Sequence, residues 1–281
     1  MVKTAIVTGS SSGFGKLISI ELAKSGFQVI ATMRNLNKKG HLLKLAASEN
    51  VTDKITVFQL DVTTQLSIEK FKEYVLSLGS VDLLVNNAGY AQGGFSEELT
   101  VDEYRKQFET NFFGVIAVTQ AVLPAMRNQR SGKIINMSSI SGRFGFPGLS
   151  AYVASKHALE GYSESLRLEL KPFGIDVVLI EPGSYKTNIW QSIENVSLSN
   201  ESPYDLMKDS IMEILTSSQD SYGNPHDVAK LAARIASAES TPTLRYPLGK
   251  GVKNMILLKN ILPWKTIERI LFKKLKLKCE K

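Results

Sequence analysis

Short apolar runs alternate with longer stretches of helical periodicity along most of the chain. Six of these runs are strand-like, at residues 5–7, 28–32, 55–60, 83–85, 133–137 and 176–180. A seventh strand is expected near residues 243–246. Strands that alternate with helices are joined by right-handed crossovers and form a parallel sheet with helices on both faces. The pattern therefore predicts a single doubly wound α/β domain with a sheet of about seven strands.

Length and composition fit this interpretation. The 281 residues suffice for one large α/β domain, and 43% of them are apolar and 22% charged. The single cysteine, Cys279, excludes an internal disulfide. His41, His157 and His226 lack the spacing of metal ligands, so the sequence predicts no metal site.

Targeting signals are not evident. The first strand begins close to the first residue and leaves no room for an N-terminal signal peptide. No uncharged apolar run reaches the ~18 residues of a membrane-spanning helix. These observations predict a cytoplasmic protein.

The net charge of +7 is concentrated at the C-terminus. Residues 253–281 hold nine Lys or Arg and two Asp or Glu, which leaves 25 of each sign elsewhere. Apolar residues at helical spacing accompany the lysines, with an interruption at Pro263. We therefore separate a domain of residues 1–252 from a basic amphipathic extension, residues 253–281. The extension is interpreted either as a helix at a membrane surface or as a helix packed on the domain or on a dimer partner.

A glycine-rich turn directly follows the first strand. Gly9, Gly13 and Gly15 lie between the strand at residues 4–8 and the amphipathic run at residues 16–24. In a dinucleotide-binding turn, these glycines permit the tight bend, the approach of the pyrophosphate and the packing of helix on strand. The helix N-terminus offers its free N–H groups to the phosphates. An ordinary Gly/Ser turn is the alternative, but the position after a strand favours nucleotide binding.

A candidate acid/base centre lies in the middle of the chain. Tyr152 and Lys156 are four residues apart, which places both side chains on one face of a helix. A free tyrosine has a pKa of about 10, and a nearby ammonium favours its phenolate. Ser139, thirteen residues upstream of the tyrosine, follows the strand at residues 133–137. Open parallel sheets bind ligands at that end of the strands, and Ser138 is the neighbouring alternative.

Several motifs occur in a fixed order. They are Thr8-Gly9-x-x-x-Gly13-x-Gly15, Leu60-Asp61-Val62, Asn86-Asn87-Ala88-Gly89, Asn111, Ser138-Ser139, Tyr152-x-x-x-Lys156, and Pro182-Gly183 followed by Thr187. In this combination the chain resembles the short-chain dehydrogenase/reductase family over residues 3–190. Residues 31–35 and 242–246 further resemble the 17β-hydroxysteroid and retinol dehydrogenase branch.

The resemblance implies a Rossmann fold and an oxidoreductase that interconverts an alcohol and a ketone or aldehyde. Tyr152 is then the general acid/base, and Ser139 holds the substrate oxygen. Lys156 lowers the pKa of the tyrosine and binds the nicotinamide ribose. Asn111 belongs to a proton relay that reaches the lysine through water, or is a buried amide that satisfies backbone groups. Residues 184–225 close over an apolar substrate, or form a surface loop with one amphipathic helix.

The resemblance also implies the cofactor contacts. They fall on Gly9, Ser11, Ser12, Gly13, Phe14, Gly15, Arg34, Asp61, Val62, Asn87, Ala88, Gly89, Tyr152, Lys156, Pro182, Gly183 and Thr187. Met33 replaces the acidic residue that usually grips the ribose of NAD, and Arg34 follows it. A guanidinium suits a 2′-phosphate, so NADP(H) is expected in preference to NAD(H). The alternatives are a solvated loop charge for Arg34 and a helix cap for Asp61.

The sequence therefore predicts an NADP(H)-dependent oxidoreductase for a small apolar alcohol or carbonyl substrate, assembled as a homodimer or homotetramer. Nucleic-acid binding is not expected because the chain has no recognisable reader motif. Peripheral membrane contact through the basic extension is a further expectation. The alternative class is a catalytically weak NADP(H)-binding sensor or scaffold, which need not keep all four catalytic residue types.

Overall fold

A computed structural model describes residues 2–186, 202–218, 222–241 and 243–277. In this part of the chain, seven strands form one sheet in the order β3-β2-β1-β4-β5-β6-β7, and every neighbouring pair is parallel. The strands are β1 (Thr4–Val7), β2 (Gln28–Met33), β3 (Ile55–Gln59), β4 (Leu83–Asn86), β5 (Gly132–Met137), β6 (Ile175–Pro182) and β7 (Arg245–Leu248). The predicted doubly wound α/β fold is confirmed.

Helices cover both faces of this sheet. They are α1 (Gly13–Lys24), α2 (Gly40–Ser48), α3 (Gln65–Leu78), α4 (Val101–Phe108), α5 (Gly114–Gln129), α6 (Ser150–Leu170), α7 (Asp205–Ser218), α8 (Pro225–Ser237), α9 (Val252–Ile261) and α10 (Trp264–Lys274). A short π-helix, Glu109–Phe113, joins α4 to α5.

Strand β1 illustrates why both faces are apolar. Ala5 and Val7 belong to a buried cluster with residues of α1, α2 and α8, whereas Ile6 belongs to a second cluster with residues of α3, α5 and α6. Successive side chains of a strand point to opposite faces, so a strand covered on both sides must be continuously apolar. This requirement is what made the strands recognisable as uninterrupted apolar runs.

Some boundaries differ from the prediction. Helix α1 begins at Gly13, three residues before the amphipathic run, and β7 begins at Arg245. Gly79, with φ of +75°, follows the end of α3. Gly132 is the first residue of β5 and does not end α5. Arg130 instead follows α5 in the left-handed conformation, with φ of +52°.

The C-terminal extension forms two helices with Pro263 between them. Val252 at the start of α9 and Ile267 on α10 are buried in a cluster with Ile140 and Phe144, which follow β5. This side of the extension therefore packs on the α/β domain. None of the helices in the described ranges has both the length and the apolar character needed to cross a bilayer.

Candidate active site

The glycine-rich turn lies at the point where the strand order reverses, between β1 and its neighbours β2 and β4. The Ser10 amide donates a hydrogen bond of 2.8 Å to the carbonyl oxygen of Thr32 in β2. On the other side, the Asn87 side chain donates a hydrogen bond of 2.8 Å to the carbonyl oxygen of Thr8. The Ala88 amide donates to the Thr8 hydroxyl. These bonds fix the turn at the carboxyl edge of the sheet, where such folds bind ligands.

A different geometric requirement explains the presence of glycine at each of the three positions in the turn. Gly9 has φ of +70°, and a Cβ there would lie 2.8 Å from the Cα of Ala88. A Cβ on Gly15 would lie 2.4 Å from the Gly9 carbonyl oxygen and from the Asn87 side-chain nitrogen. Gly13 has φ of +53° but faces open space. The first and third glycines therefore allow close packing, and the second leaves room above the backbone.

The first turn of α1 is suited to an anion. Ser12 precedes the helix in extended conformation, and its side chain makes no capping hydrogen bond. The first turn contains no acidic residue. Backbone N–H groups at a helix N-terminus attract anions, and Gly13 leaves space in front of them. The residues present therefore fit the pyrophosphate of a dinucleotide. Ser11 is half-buried in the same turn.

The ends of β2 and β3 place the predicted adenosine contacts beside this turn. Met33 is buried, and Arg34 after it is exposed. The amide of Leu60 donates to the Met33 carbonyl, which brings Asp61 and Val62 to the same edge. The Asp61 carboxylate accepts hydrogen bonds from the amide and hydroxyl of Thr63 in a local turn. The helix cap is Thr64, so the capping role considered for Asp61 is not found.

Tyr152, Lys156 and Ser139 are brought together at the end of β5. Both α6 residues are buried, and the Lys156 ammonium lies 5.7 Å from the centroid of the Tyr152 ring. The Lys156 ammonium donates a hydrogen bond of 2.7 Å to the carbonyl oxygen of Met137, the last residue of β5. A hydrogen bond links the Ser139 hydroxyl to the Tyr152 side chain. The helix spacing and the strand end thus converge on one point, as the sequence predicted for these three residues.

Burial dominates the electrostatics of this centre. It raises the pKa of Tyr152 to about 12, and the hydrogen bond with Ser139 opposes the shift. Burial also lowers the pKa of Lys156 to about 8, against the attraction of Glu160. Both shifts disfavour the charged form, which is the expected effect of a poorly solvated site. The predicted lowering of the Tyr152 pKa by Lys156 is therefore not found in this structure, where burial raises that pKa.

Asn111 lies behind this centre. It belongs to the π-helix, a rare conformation that often occurs at functional sites. Its side-chain oxygen accepts from the Tyr90 amide, and its nitrogen donates to the Tyr90 carbonyl and, at 3.2 Å, to the Ser155 hydroxyl. The amide therefore satisfies backbone groups, which was the alternative interpretation of this residue, and it also reaches α6 one residue before Lys156.

A cluster of buried charged side chains was not predicted from the sequence. Glu160, one turn after Lys156, accepts from the Ser138 hydroxyl and from Arg245 of β7 at 2.8 Å. Glu181 of β6 accepts from Arg143 at 3.3 Å. Burial first, and then the charge of Glu160, raises the pKa of Glu181. Arg245 also lies 3.5 Å from Glu181 and so links the two pairs. These contacts join residues up to 85 positions apart in sequence, so no local pattern predicts the cluster.

A cavity of about 510 Å³ opens from this centre. Of the predicted residues, Phe14, Asn87, Gly89, Ser139, Tyr152, Lys156, Pro182 and Gly183 line it. Most of the other lining residues are apolar. They include Phe95, Phe144, Phe146, Tyr185, Ile211, Met212, Leu215, Leu258, Leu262 and Leu271. Helix α7 and the extension thus form walls of the cavity, and Thr187 lies outside the described residues.

The comparisons with known proteins agree with this geometry. A family model for the short chain dehydrogenases matches residues 3–197. "Uncharacterized oxidoreductase YusZ" of Bacillus subtilis is 51% identical over 280 residues, which are 97% of this chain and 98% of the relative. Retinol dehydrogenase 8 of Bos taurus is 36% identical over 93% of this chain and 86% of its own. The crystal structure of a short-chain dehydrogenase from Streptomyces avermitilis has a TM-score of 0.78 at 34% identity, with coverages of 96% and 98%.

The chain therefore belongs to the short-chain dehydrogenase family, and the family predicted from its motifs is confirmed. It is an NAD(P)-dependent dehydrogenase/reductase. Its likeness to a retinol dehydrogenase is consistent with the predicted branch.

Proposed function

We propose that the protein is an NADP(H)-dependent oxidoreductase that interconverts an apolar alcohol and the corresponding ketone or aldehyde. The observation that carries this proposal is the cavity of about 510 Å³, whose apolar walls end at Tyr152 and Ser139. Cavities of this size enclose small-molecule ligands, and a few polar groups fix the orientation of the ligand. Retinol, named in one relative, is an apolar alcohol of the kind that such walls accept.

The nicotinamide supplies hydride for reduction, or accepts it for oxidation. Tyr152 donates a proton from its hydroxyl to the substrate oxygen in the first direction and takes the alcohol proton in the second. For reduction its hydroxyl is already protonated, and burial raises its pKa further. For oxidation that proton first leaves, towards Lys156 and water, so that the phenolate can take the alcohol proton. Ser139, hydrogen-bonded to Tyr152, holds the substrate oxygen and stabilises the charge that develops there.

Lys156 holds a proton within reach of this centre. With a pKa lowered to about 8 by burial, its ammonium can lose a proton far more readily than a free lysine. The same ammonium attracts the developing phenolate of Tyr152. Asn111 contributes by fixing Ser155 and the Tyr90 segment behind the lysine, and in this proposal a water beside Asn111 returns the proton to Lys156.

The preference for NADP(H) follows from Arg34. The residue is exposed at the end of β2, two positions after Thr32. The carbonyl oxygen of Thr32 accepts the hydrogen bond from Ser10 in the glycine-rich turn. No carboxylate stands at Met33 to bind a ribose 2′-hydroxyl. A guanidinium beside the adenosine ribose binds a 2′-phosphate with two hydrogen bonds.

The substrate class is tested by measuring NADPH consumption with ketones and aldehydes of matched reactivity. One series carries long aliphatic or polyene bodies, and the other carries hydroxylated bodies of similar size. We expect the apolar series to have the larger kcat/KM. Faster turnover of the hydroxylated series would overturn the apolar assignment, and NADPH binding without turnover of either series would favour a sensor or scaffold.

A further inference from the structure

The extension carries a second set of apolar side chains, which are exposed to solvent. We name the tail face as the side chains of Leu257, Leu258, Ile261, Trp264 and Ile270, on α9 and α10. Each is more than half exposed, from 51% at Leu258 to 68% at Ile261. Within the described residues, twelve large apolar side chains are exposed, and five of them belong to this short segment. Exposed apolar side chains are common singly, but such a concentration marks an interaction surface.

The tail face is separate from the packing of the extension on the domain. Val252 and Ile267 supply that packing and are buried, at 3% and 5% exposure. Leu257 and Ile261 are one helical turn apart on α9, on a side that stays open. On α10, Trp264 and Ile270 each lie three residues from the buried Ile267 and flank the packed side. The two interpretations of the extension, packed helix and surface-binding helix, therefore apply to different side chains of the same helices.

The tail face lies at the opening of the cavity. Leu258 and Ile270 line the cavity and are also 51% and 53% exposed. A side chain that is both cavity wall and outer surface marks the edge of an entrance. Whatever binds the tail face therefore lies against the entrance to the cavity.

The charge around the tail face indicates its partner. Residues 253–277 contain seven Lys or Arg and one acidic residue, Glu268. Five of the basic side chains are exposed and form no ion pair within the described part of the chain, at Lys253, Lys265, Arg269, Lys273 and Lys274. A second copy of this chain would bring two such positive surfaces together in a symmetric contact, and like charges repel. Anionic lipid headgroups are complementary to them, and tryptophan is favoured at the boundary between headgroups and acyl chains.

We propose that the tail face docks on an anionic lipid surface and places the entrance of the cavity against the bilayer. Apolar side chains enter the boundary region of the lipid, and the surrounding lysines contact the headgroups. If the proposed function holds, an apolar substrate can pass between the bilayer and the cavity without crossing water. The docking itself requires no turnover and can be tested independently of it.

The binding test uses sedimentation of the full-length protein with vesicles of phosphatidylcholine, with and without phosphatidylserine. We expect binding to the anionic vesicles that weakens with added salt, since ions screen surface charges.

The double variant Lys265→Gln/Arg269→Gln should bind about thirtyfold more weakly, at roughly fivefold for each basic residue removed. The triple variant Leu257→Gln/Ile261→Gln/Trp264→Gln should lose binding. The matched control Leu66→Gln/Leu76→Gln/Val101→Gln changes three exposed residues elsewhere and should bind like the wild type.

Orientation is tested by the fluorescence of Trp264. The chain has two tryptophans, so Trp190→Phe leaves Trp264 as the single reporter. We expect its emission to shift to shorter wavelength and to be quenched by brominated acyl chains in anionic vesicles. A wild-type protein that does not sediment with anionic vesicles would overturn the proposal. Trp264 fluorescence that brominated acyl chains do not quench would also overturn it, as would a triple variant that still binds vesicles. A triple variant that keeps vesicle binding but changes its oligomeric state would show that the tail face is a contact between copies of the protein.

Discussion

The Lys156 ammonium donates a hydrogen bond to the carbonyl oxygen of Met137, so that one polar contact of 2.7 Å ties the N-terminal part of α6 to the end of β5. The same ammonium lies over the ring of Tyr152. Because Ser139 follows Met137 by two residues, this contact sets the distance between the strand that carries the serine and the helix that carries the tyrosine. The positions of Tyr152 and Ser139, the proposed catalytic residues, thus depend on a buried lysine.

The buried lysine should be detectable in the pH dependence of stability. Its pKa falls from 10.5, the value of a freely solvated lysine, to about 8 in the folded protein, mainly through burial. Between these two values the unfolded chain binds more protons than the folded one, so stability rises with pH in that window. The difference in free energy of unfolding between wild type and Lys156→Met should therefore rise by about 3 kcal/mol from pH 8 to pH 10.5. Denaturant titrations at each pH measure this difference in the free energy of unfolding. A difference that does not change with pH would show that burial does not lower the pKa of Lys156.

Gly15 should tolerate no side chain. A Cβ there would lie 2.4 Å from the Gly9 carbonyl oxygen, and backbone cannot move aside cheaply. Gly15→Ala should lower stability by about 1–3 kcal/mol and abolish cofactor binding by displacing the turn. Gly161→Ala on α6 is the control, since its Cβ would meet nothing within 4 Å and alanine favours a helix by about 1 kcal/mol. Thermal unfolding and cofactor titration of both variants test this contrast. Normal cofactor affinity in Gly15→Ala would refute the role of the turn.

Arg34 should determine the cofactor. Wild-type protein is expected to bind NADPH more tightly than NADH, and Arg34→Ala should lose about 1.5–3 kcal/mol of NADPH affinity with little change for NADH. The double variant Met33→Asp/Arg34→Ala should reverse the order, because a carboxylate binds a ribose 2′-hydroxyl. Arg127→Ala, an exposed arginine near the end of α5, serves as the control. Equal dissociation constants of the wild type for the two cofactors would rule out the assignment.

The sheet and the candidate catalytic centre could be predicted from the sequence because their signals are local. Each buried strand is a short apolar run, and the spacing of Tyr152 and Lys156 indicates their common side of a helix. The glycine-rich turn is likewise contained in seven residues. Family resemblance then supplied what spacing alone does not, since it connected the turn, the serine and the tyrosine into one site.

The remaining parts of the site depend on contacts between distant segments. Arg245 meets Glu160 across 85 residues, and no local pattern in the sequence pairs the two. The apolar residues of the extension gave a helical pattern, but which side faces the cavity is decided by packing against Ile140 and Phe144. The π-helix around Asn111 is a local departure from α-helical hydrogen bonding that periodicity does not reveal.

The central claim is that Tyr152 transfers the proton, and one pair of variants tests it most directly. Tyr152→Phe removes only the hydroxyl that ends the cavity. Tyr162→Phe removes a hydroxyl from the same helix, where burial likewise raises the pKa to about 12, but Tyr162 does not line the cavity. The measurement is kcat with NADPH and the best apolar carbonyl substrate, together with cofactor affinity. We predict that Tyr152→Phe lowers kcat by at least about a hundredfold with cofactor affinity unchanged, and that Tyr162→Phe keeps wild-type turnover. Equal kcat values for the two variants would contradict the account.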